Sequence, residues 1–392
     1  MQKDFVFTSE SVTEGHPDKL CDRIADAIVD QFLIQDPYAR IVTECAVARN
    51  VAFVAARFAA ETNVDIPGVA RRVIGEVGYQ SGEFRADDCS ILTSLIAMED
   101  EVRPLRDESA MDDRELERLT VRNQITLFGY ACDQTPALMP LPIWQAHRLA
   151  RRLGRACEAL HYLTPDGTTQ VGVEYRDRRP VRIHSLTLVV GQKSLEPGLA
   201  ELRGDLIERV VDPVFRDEEI APDDRTRLYV NPNGPKYGGG PPAHSGMTGR
   251  KTAADTYGGF ARHSGSALSG KDPLRIDRVA AYAARYAARN VVAAGLAREC
   301  EVQLSYSVGL AGPVSLQVDT FGTGKISDER IGQRLEGAFD FRLGHIVRRF
   351  NLRHLPARNQ GFYRLLAAYG QVGRVDLDLP WEEDDLVERL QD

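Results

Sequence analysis

Three polar side chains with different chemistry stand together at the predicted start of a helix. His16, Asp18 and Lys19 flank Pro17, which suits the first helical turn because its missing N–H would have no partner there. A helix N-terminus attracts anions, and these groups could bind a phosphate and its metal ion. The simpler interpretation is local, with His16 as the helix cap and Asp18 offsetting the helix dipole.

A second group of candidate residues lies in a glycine-rich segment, residues 231–278. Glycine lets backbone N–H groups approach anionic oxygens, while Lys and Arg supply positive charge. Irregular segments of this length are usually functional or disordered, and the apolar and aromatic residues inside this one argue against disorder. Its glycine spacing is not that of a Walker A motif. We therefore predict a polyphosphate site that carries Arg250, Lys251, Lys271 and Arg275.

Composition limits the classes of function. The chain has 392 residues, enough for two or three domains, and a net charge of −8, which argues against a general nucleic-acid or anionic-membrane surface. Its six cysteines are scattered without metal-binding spacing, as expected of reduced thiols in the cytoplasm. No stretch is apolar enough for a signal peptide or a membrane span. We expect a cytoplasmic protein that binds no nucleic acid and no membrane.

Apolar periodicity predicts the elements that position these residues. A stripe at three-to-four spacing predicts a helix over 17–33. Two runs rich in β-branched residues, 40–48 and 51–60, predict a hairpin that turns at Arg49-Asn50. Further helices are predicted over 64–79 and 141–163, followed by strands at 169–177 and 181–192.

The order of these elements predicts an α+β fold of three similar domains, each a mixed sheet with helices on one face. We expect an N-terminal domain at 1–102, a central domain at 124–230 and a C-terminal domain at 231–392. The densely charged stretch 103–123 between the first two is predicted to be a linker or gating loop, or a solvated helix.

Four long motifs together resemble the S-adenosylmethionine synthetase (methionine adenosyltransferase) family. They are FTSESVTEGHPDK, LFGYACDQTPALMPLPIWQAHRLARRL, the run 246–297 and VDTFGTGK, and the resemblance extends from Phe7 to about Trp381. It implies three α+β domains in a pseudo-threefold arrangement, and a homodimer or homotetramer with active sites between subunits. It also implies that the sulfur of methionine attacks C5′ of ATP, that triphosphate leaves, and that the triphosphate is then hydrolysed.

The resemblance assigns roles to individual residues. His16 would lie by the ribose and triphosphate and ease departure of the leaving oxygen. The remaining assignments are phosphate contacts for Lys19, Arg250, Lys251 and Lys271, other ATP contacts for Ala267 and Tyr237, Mg²⁺ ligands at Asp18 and Asp277, and a K⁺ ligand at Glu44. His16, Arg250, Lys251 and Lys271 are the residues expected to act in catalysis.

The chain departs from the family pattern mainly where the family holds methionine and adenosine. The departures are Arg57 for Glu, Met98 for Gln, Asn123 for Asp, His244 for Asp, Arg275 for Lys, Thr168 for Lys, and Pro235-Lys236 for Arg-Phe with Tyr237 beside them. We interpret Arg57, Met98, Asn123, His244 and Arg275 as altered acceptor-binding residues. The exchanges at Arg57 and His244 remove negative charge, so the acceptor site should disfavour an ammonium group and favour an anion.

Four functions follow from this pattern. The first is synthesis of S-adenosylmethionine with a remodelled site. The second is transfer of a nucleoside from a triphosphate to another, anionic nucleophile. The third is a triphosphohydrolase that uses water as the acceptor. The fourth is a silent regulatory subunit, which the retained Asp18, Lys251, Lys271 and Asp277 argue against.

Overall fold

The computed structural model describes residues 4–80, 82–98 and 107–391. It contains three β-sheets and a set of helices. The strands are β1 Phe5–Val12, β2 Arg40–Ala48, β3 Val51–Ala59, β4 Ser90–Ala97, β5 Ile125–Cys132, β6 Leu163–Arg176, β7 Arg179–Gln192, β8 Arg227–Val230, β9 Gly246–Met247, β10 Glu299–Tyr306 and β11 Ser315–Asp319.

Three long helices, α1, α4 and α8, dominate the helical part, and several single turns complete it. The helices are α1 Pro17–Gln35, α2 Ile66–Glu76, α3 Asp113–Glu117, α4 Leu141–Ala156, α5 Leu199–Leu206, α6 Asp212–Phe215, α7 Thr252–Asp255, α8 Ile276–Ala293, α9 Asp328–Ala338, α10 Leu343–Phe350, α11 Leu355–Asn359, α12 Tyr363–Leu366 and α13 Val387–Gln391. Short 3₁₀ turns cover Glu108–Ala110 and Pro380–Glu382, and a π-turn covers Ile207–Val211.

Each sheet packs against one long helix. The sheet β4-β3-β2-β9 covers α1, the sheet β1-β6-β7-β8 covers α4, and the sheet β11-β10-β5 covers α8. The first two sheets are mixed, because β3–β4 and β7–β8 pair in parallel, and the third is antiparallel. The α+β prediction of three sheet-and-helix units is therefore confirmed.

The sheets do not follow the order of the sequence. β1 pairs with β6, from Phe5 opposite Tyr175 to Val12 opposite Thr168, so the first strand of the chain belongs to the central sheet. β5 pairs with β10, from Ile125 opposite Tyr306, so a strand from the predicted central block lies in the sheet of the C-terminal block. The proposed domain limits thus describe stretches of sequence, and strands cross between them.

Local signals placed the first elements well. α1 begins at Pro17 with His16 as its N-cap, and its apolar stripe is buried. β2 and β3 form the predicted hairpin, in which Arg49 adopts φ 50° at the turn. The helix predicted to reach residue 163 ends at Ala156, because a short turn and the start of β6 occupy the remainder.

The charged stretch after β4 is partly described. Residues 107–123 form the 3₁₀ turn and α3, and Arg353 donates to both oxygens of the buried Glu108, at 2.9 Å and 2.8 Å. Arg342 pairs with Asp113 and Glu117 of α3. Residues 107–123 are therefore held against the C-terminal helices. Residues 99–106 lie outside the described residues, and the predicted gating loop begins within them.

No helix among the described residues is long and apolar enough to cross a membrane. All six cysteines are unpaired thiols.

Candidate active site

The start of α1 meets the glycine-rich segment at Asp18, which is 2% exposed. The Met247 N–H donates to Asp18 Oδ1 at 3.0 Å, and Lys251 Nζ donates to Asp18 Oδ2 at 3.0 Å. Arg250 Nη1 lies 3.6 Å from the same carboxylate. The start of α1 and the glycine-rich segment were each predicted to bind phosphate. They lie more than 200 residues apart in the sequence and form one cluster in the structure.

Glycine makes this approach of the two segments sterically feasible. A Cβ on Gly246 would lie 2.1 Å from the carbonyl carbon of Pro17, and one on Gly249 would lie 2.4 Å from Cβ of Ala267. Gly249 also adopts φ 79°, a conformation that residues with a Cβ rarely take. Ala267, predicted to contact ATP, thus lies directly beside the Asp18 cluster.

Asp18 is ionised despite its burial. Burial by itself would raise the pKa of the carboxyl group, but hydrogen bonds from Lys251 and from the Met247 N–H hold the pKa below its ordinary value. An ionised carboxylate that faces two cationic side chains can hold a hard divalent cation next to an anionic oxygen.

His16 is a neutral hydrogen-bond donor in this arrangement. Its side chain is nearly buried, and burial lowers its pKa to about 4. Its Nδ1 accepts from the Asp18 N–H at 3.2 Å, which confirms the predicted cap. Since the ring is neutral and Nδ1 is an acceptor, the proton is on Nε2. An imidazole in this form can donate to a leaving oxygen without first taking up a proton.

Asp166 joins this cluster and was missed by the sequence analysis, although the neighbouring Thr168 was singled out. Asp166 Oδ2 accepts from the Gly240 N–H at 2.9 Å and lies 2.9 Å from His244 Nε2. Hydrogen bonding with His244 and the charge of Lys236 outweigh the effect of burial and lower the pKa of Asp166 to about 2. Asp166 lies in β6 and is 2% exposed, and no local signal in the sequence distinguishes it from other carboxylates.

The rings of His16 and His244 lie 5.0 Å apart, and one ligand atom each from His16, Asp166 and His244 falls within a 4.8 Å span. His244, predicted to bind the acceptor, is therefore placed next to the predicted triphosphate residue His16 and is hydrogen-bonded to Asp166.

A second cluster surrounds Asp277 in the first turn of α8. Lys271 Nζ lies 3.5 Å from Asp277 Oδ1, while Ser266 and Asn123 each donate to this carboxylate at 2.8 Å. Burial would raise the pKa of Asp277, but the charge of Lys271 and these hydrogen bonds lower it. Asp277 is therefore a second ionised carboxylate beside a cationic side chain.

The Asp277 cluster opens into a cavity of about 640 Å³. Arg57, Met98, Asn123 and Arg275, four of the five predicted acceptor residues, line it together with Lys271 and Asp277. Arg57 is exposed, and no ion pair or hydrogen bond joins its side chain to the residues that the structure describes. Among the described residues that line this cavity, cationic side chains thus outnumber carboxylates.

Tyr237 is not a core residue. It is 71% exposed and lies at the edge of a cavity of about 420 Å³, which Tyr79, Phe84, Gly238 and Gly239 also line. Aromatic rings and glycine backbone form a surface on which a flat nucleobase could stack.

Two predicted ligand residues lie in contrasting surroundings. Lys19 is 1% exposed, donates to Asp22 at 2.9 Å and also contacts Asp255, and these carboxylates raise its pKa. Its ammonium group pairs with carboxylates inside the protein and holds α1 to the Asp255 turn, and its contact with phosphate stays a prediction. Glu44 is exposed on β2, and its carboxylate has no ion pair with the residues that the structure describes.

Comparison with known protein families accounts for almost the whole chain. Residues 4–99 match the N-terminal domain of S-adenosylmethionine synthetase, residues 118–236 match its central domain and residues 238–383 match its C-terminal domain.

Curated relatives match over the full length. A protein named S-adenosylmethionine synthase from Trichormus variabilis is 47% identical over 408 residues, covering 100% of this chain and 97% of the relative. The protein of the same name from Thermosynechococcus vestitus is 47% identical over 404 residues, covering 99% of this chain and 97% of the relative.

Proposed function

The chain belongs to the S-adenosylmethionine synthetase family and is an adenosyltransferase of that type, and we propose that it joins ATP and methionine. The observation that carries the proposal is the Asp18 cluster, where Lys251 and Arg250 of the glycine-rich segment meet the start of α1. The leaving triphosphate carries several negative charges, so a site that promotes its departure needs cations in place beforehand.

Each cluster has a task in this reaction. We assign the neutral His16 Nε2–H to the oxygen that leaves C5′, and Arg250, Lys251 and Lys271 to the triphosphate oxygens. Tyr237 supplies a stacking surface for the nucleobase. The sulfur of methionine attacks C5′ from the side opposite to the leaving oxygen.

Asp18 and Asp277 fit Mg²⁺, because both are ionised carboxylates beside cationic side chains that a phosphate could also engage. Mg²⁺ held there would neutralise charge on the triphosphate. Glu44, exposed and without an ion pair among the described residues, is the proposed K⁺ ligand.

We propose that the two clusters form a complete site only together with a second copy of the chain. We propose a homodimer, or a tetramer made of two dimers, in which the Asp18 cluster of one subunit faces the Asp277 cluster of its partner. An apolar outer face on the sheet β4-β3-β2-β9 supports this assembly. Phe53, Leu92, Ile96 and Met247 are between 43% and 54% exposed on that face, which is unusual for a sheet face that meets only water.

A second acceptor class has one observation in its favour. Arg57, which has no ion pair with the part of the chain that the structure describes, lies in a cavity with Lys271 and Arg275, which suits an acceptor that bears an anionic group and lacks an ammonium group. The names of the relatives favour methionine, and no comparison favours a triphosphohydrolase or a silent subunit. We propose the cytoplasm as the location because all six thiols are unpaired.

The direct test is product analysis by liquid chromatography and mass spectrometry. The protein is incubated with ATP, Mg²⁺ and K⁺, with and without methionine. We expect methionine-dependent S-adenosylmethionine together with phosphate and diphosphate, and we expect Lys251→Met to abolish it. ATP consumption that is the same with and without methionine, with no adenosylated product, would contradict the proposal.

A further inference from the structure

A cavity of about 480 Å³ lies where α1, the end of α2, α4 and the chain after α12 meet, and its lining contains none of the residues assigned above to ATP. Its lining is rich in positive charge. Five cationic side chains line it, namely Arg23, Arg151, Arg155, Lys193 and Arg374.

Carboxylates neutralise this charge only in part. Glu14 contacts Arg23, while Asp376 is shared between Arg151 at 2.9 Å and Arg374 at 2.8 Å. The lining carboxylates are Glu14, Glu76, Glu158 and Asp376, one fewer than the cationic side chains. Glu76 is also held by Arg364, at 3.0 Å, from beyond the lining.

Three donors at this cavity lack an acceptor among the described residues. The Nε atoms of Arg23 and Arg151 are buried, and no described residue accepts a hydrogen bond from either of them. The hydroxyl of Tyr369 makes no hydrogen bond with the described residues, although Tyr369 is only 6% exposed. This hydroxyl lies against Gly154, another lining residue, where an added Cβ would be 2.8 Å from it. Buried donors are rarely left without an acceptor in a native protein.

Like charges reinforce this imbalance. The Arg151 guanidinium lies 5.3 Å from the centre of the Tyr369 ring. Burial lowers the pKa of Arg23, and the charge of the neighbouring Arg364 lowers it further. Burial also lowers the pKa of Arg151, and the charge of Arg374 adds to this effect. An anion bound inside the cavity would raise the pKa of both arginines, since a negative charge favours the charged guanidinium.

We propose that this cavity binds a small molecule that carries a phosphate group. A tetrahedral phosphate offers acceptors in several directions, as donors on α1, α4 and Tyr369 require, and guanidinium groups match its oxygens well. Arg155 and Lys193 are exposed at the edge of the cavity and would attract the anion. The cavity adjoins the one beside Tyr237, with which it shares Gly78, Pro165 and Lys193, but its cationic lining contains none of the residues proposed to hold the triphosphate of ATP.

The test measures phosphate binding with the candidate active site disabled. In full-length protein carrying Lys251→Met and Lys271→Met, orthophosphate, diphosphate and ATP are each titrated by isothermal calorimetry at constant ionic strength, with chloride as the reference anion. We expect saturable binding of at least one of the three, and the preferred ligand identifies the source of the phosphate group.

Two further substitutions locate the binding. Tyr369→Phe removes only the hydroxyl and should weaken binding about tenfold, the loss expected for one hydrogen bond to an anion. Arg151→Gln should weaken it more. Arg152→Gln is the matched control, because Arg152 lies on the same helix but donates to the Arg209 carbonyl oxygen at the surface, and it should leave binding unchanged.

Absence of binding in the disabled protein at millimolar phosphate, diphosphate and ATP would overturn the proposal. Binding that Tyr369→Phe and Arg151→Gln leave unchanged, in protein with an unaltered melting temperature, would also overturn it. If Arg151→Gln fails to fold, Tyr369→Phe decides the question. None of these readouts measures adenosyl transfer, so failure here is distinct from failure of the proposed function.

Discussion

Arg57 controls the charge of the proposed acceptor cavity, and reversing that charge tests how methionine is bound. Arg57 pairs in register with Val42 of β2 and with Ile96 of β4, and all three residues line the cavity. Arg57 is exposed and has no ion-pair partner among the described residues. A methionine ammonium group bound nearby therefore meets a cation, and Arg57→Glu would give it a carboxylate.

The size of the effect follows from the exposure of this side chain. Exposed pairs of charges contribute about 0.2–1 kcal/mol each. The substitution removes one repulsion and adds one attraction, so we expect about 0.5–2 kcal/mol in total, which is about 2- to 30-fold in KM. Arg250, Lys251 and Lys271 remain in place to hold the triphosphate, so kcat at saturating methionine should change little.

The assay is the initial rate of S-adenosylmethionine formation at saturating ATP as methionine is varied. Arg57→Gln removes the charge without reversing it and should give an intermediate KM. Methionine without its amino group, 4-(methylthio)butanoate, should show the opposite trend and be used less well by the Glu variant. An unchanged or raised KM for methionine in Arg57→Glu, with ATP affinity and melting temperature preserved, would refute the charge argument.

Three other predictions concern the structure that supports the site. In Gly246→Ala, the new Cβ would lie 2.1 Å from the Pro17 carbonyl carbon, so the start of α1 must shift. We expect the affinity for ATP, measured by equilibrium titration, to fall by more than tenfold. An unchanged affinity would contradict this prediction. Arg278 is fully buried and donates to both oxygens of Asp26 at 2.7 Å. Arg278→Met leaves the Asp26 carboxylate buried without its cationic partner, so it should lower the free energy of unfolding, measured by urea denaturation, by about 3–5 kcal/mol. A loss below about 1 kcal/mol would show that the ion pair contributes little to stability. The pKa of His16 is lowered to about 4 from its ordinary 6.5, so the unfolded chain binds more protons between these values and the free energy of unfolding should fall as the pH falls from 6.5 to about 4. His16→Asn should flatten this part of the stability curve, and equal slopes for the two proteins would contradict the burial argument.

Local patterns were enough for the elements and the family. α1 begins at Pro17 with His16 as its cap, and the hairpin turns at Arg49, because caps, prolines and apolar periodicity act within a few residues. The motifs identified the family without the structure, and the comparisons confirmed it. The α+β class was also predicted, since the number and type of elements can be read from the sequence.

The grouping of the site residues could not be predicted in this way. Arg57 and His244 were both predicted to bind the acceptor, but the structure places His244 with His16 and Asp166, and Arg57 with Lys271. Asp166 has no local signal that separates it from the other carboxylates of the chain. Its importance comes from Gly240 and His244, which reach it across more than 70 residues.

The sequence by itself thus determined which elements form, where they begin and which chemical groups the chain carries. The tertiary structure decided which strands pair, as with β1 and β6, and which charges end up buried, as with Lys19 between Asp22 and Asp255. The reason is physical. Secondary structure follows from neighbouring residues, whereas sheet partners and buried ion pairs are selected by the packing of segments that lie far apart in the chain.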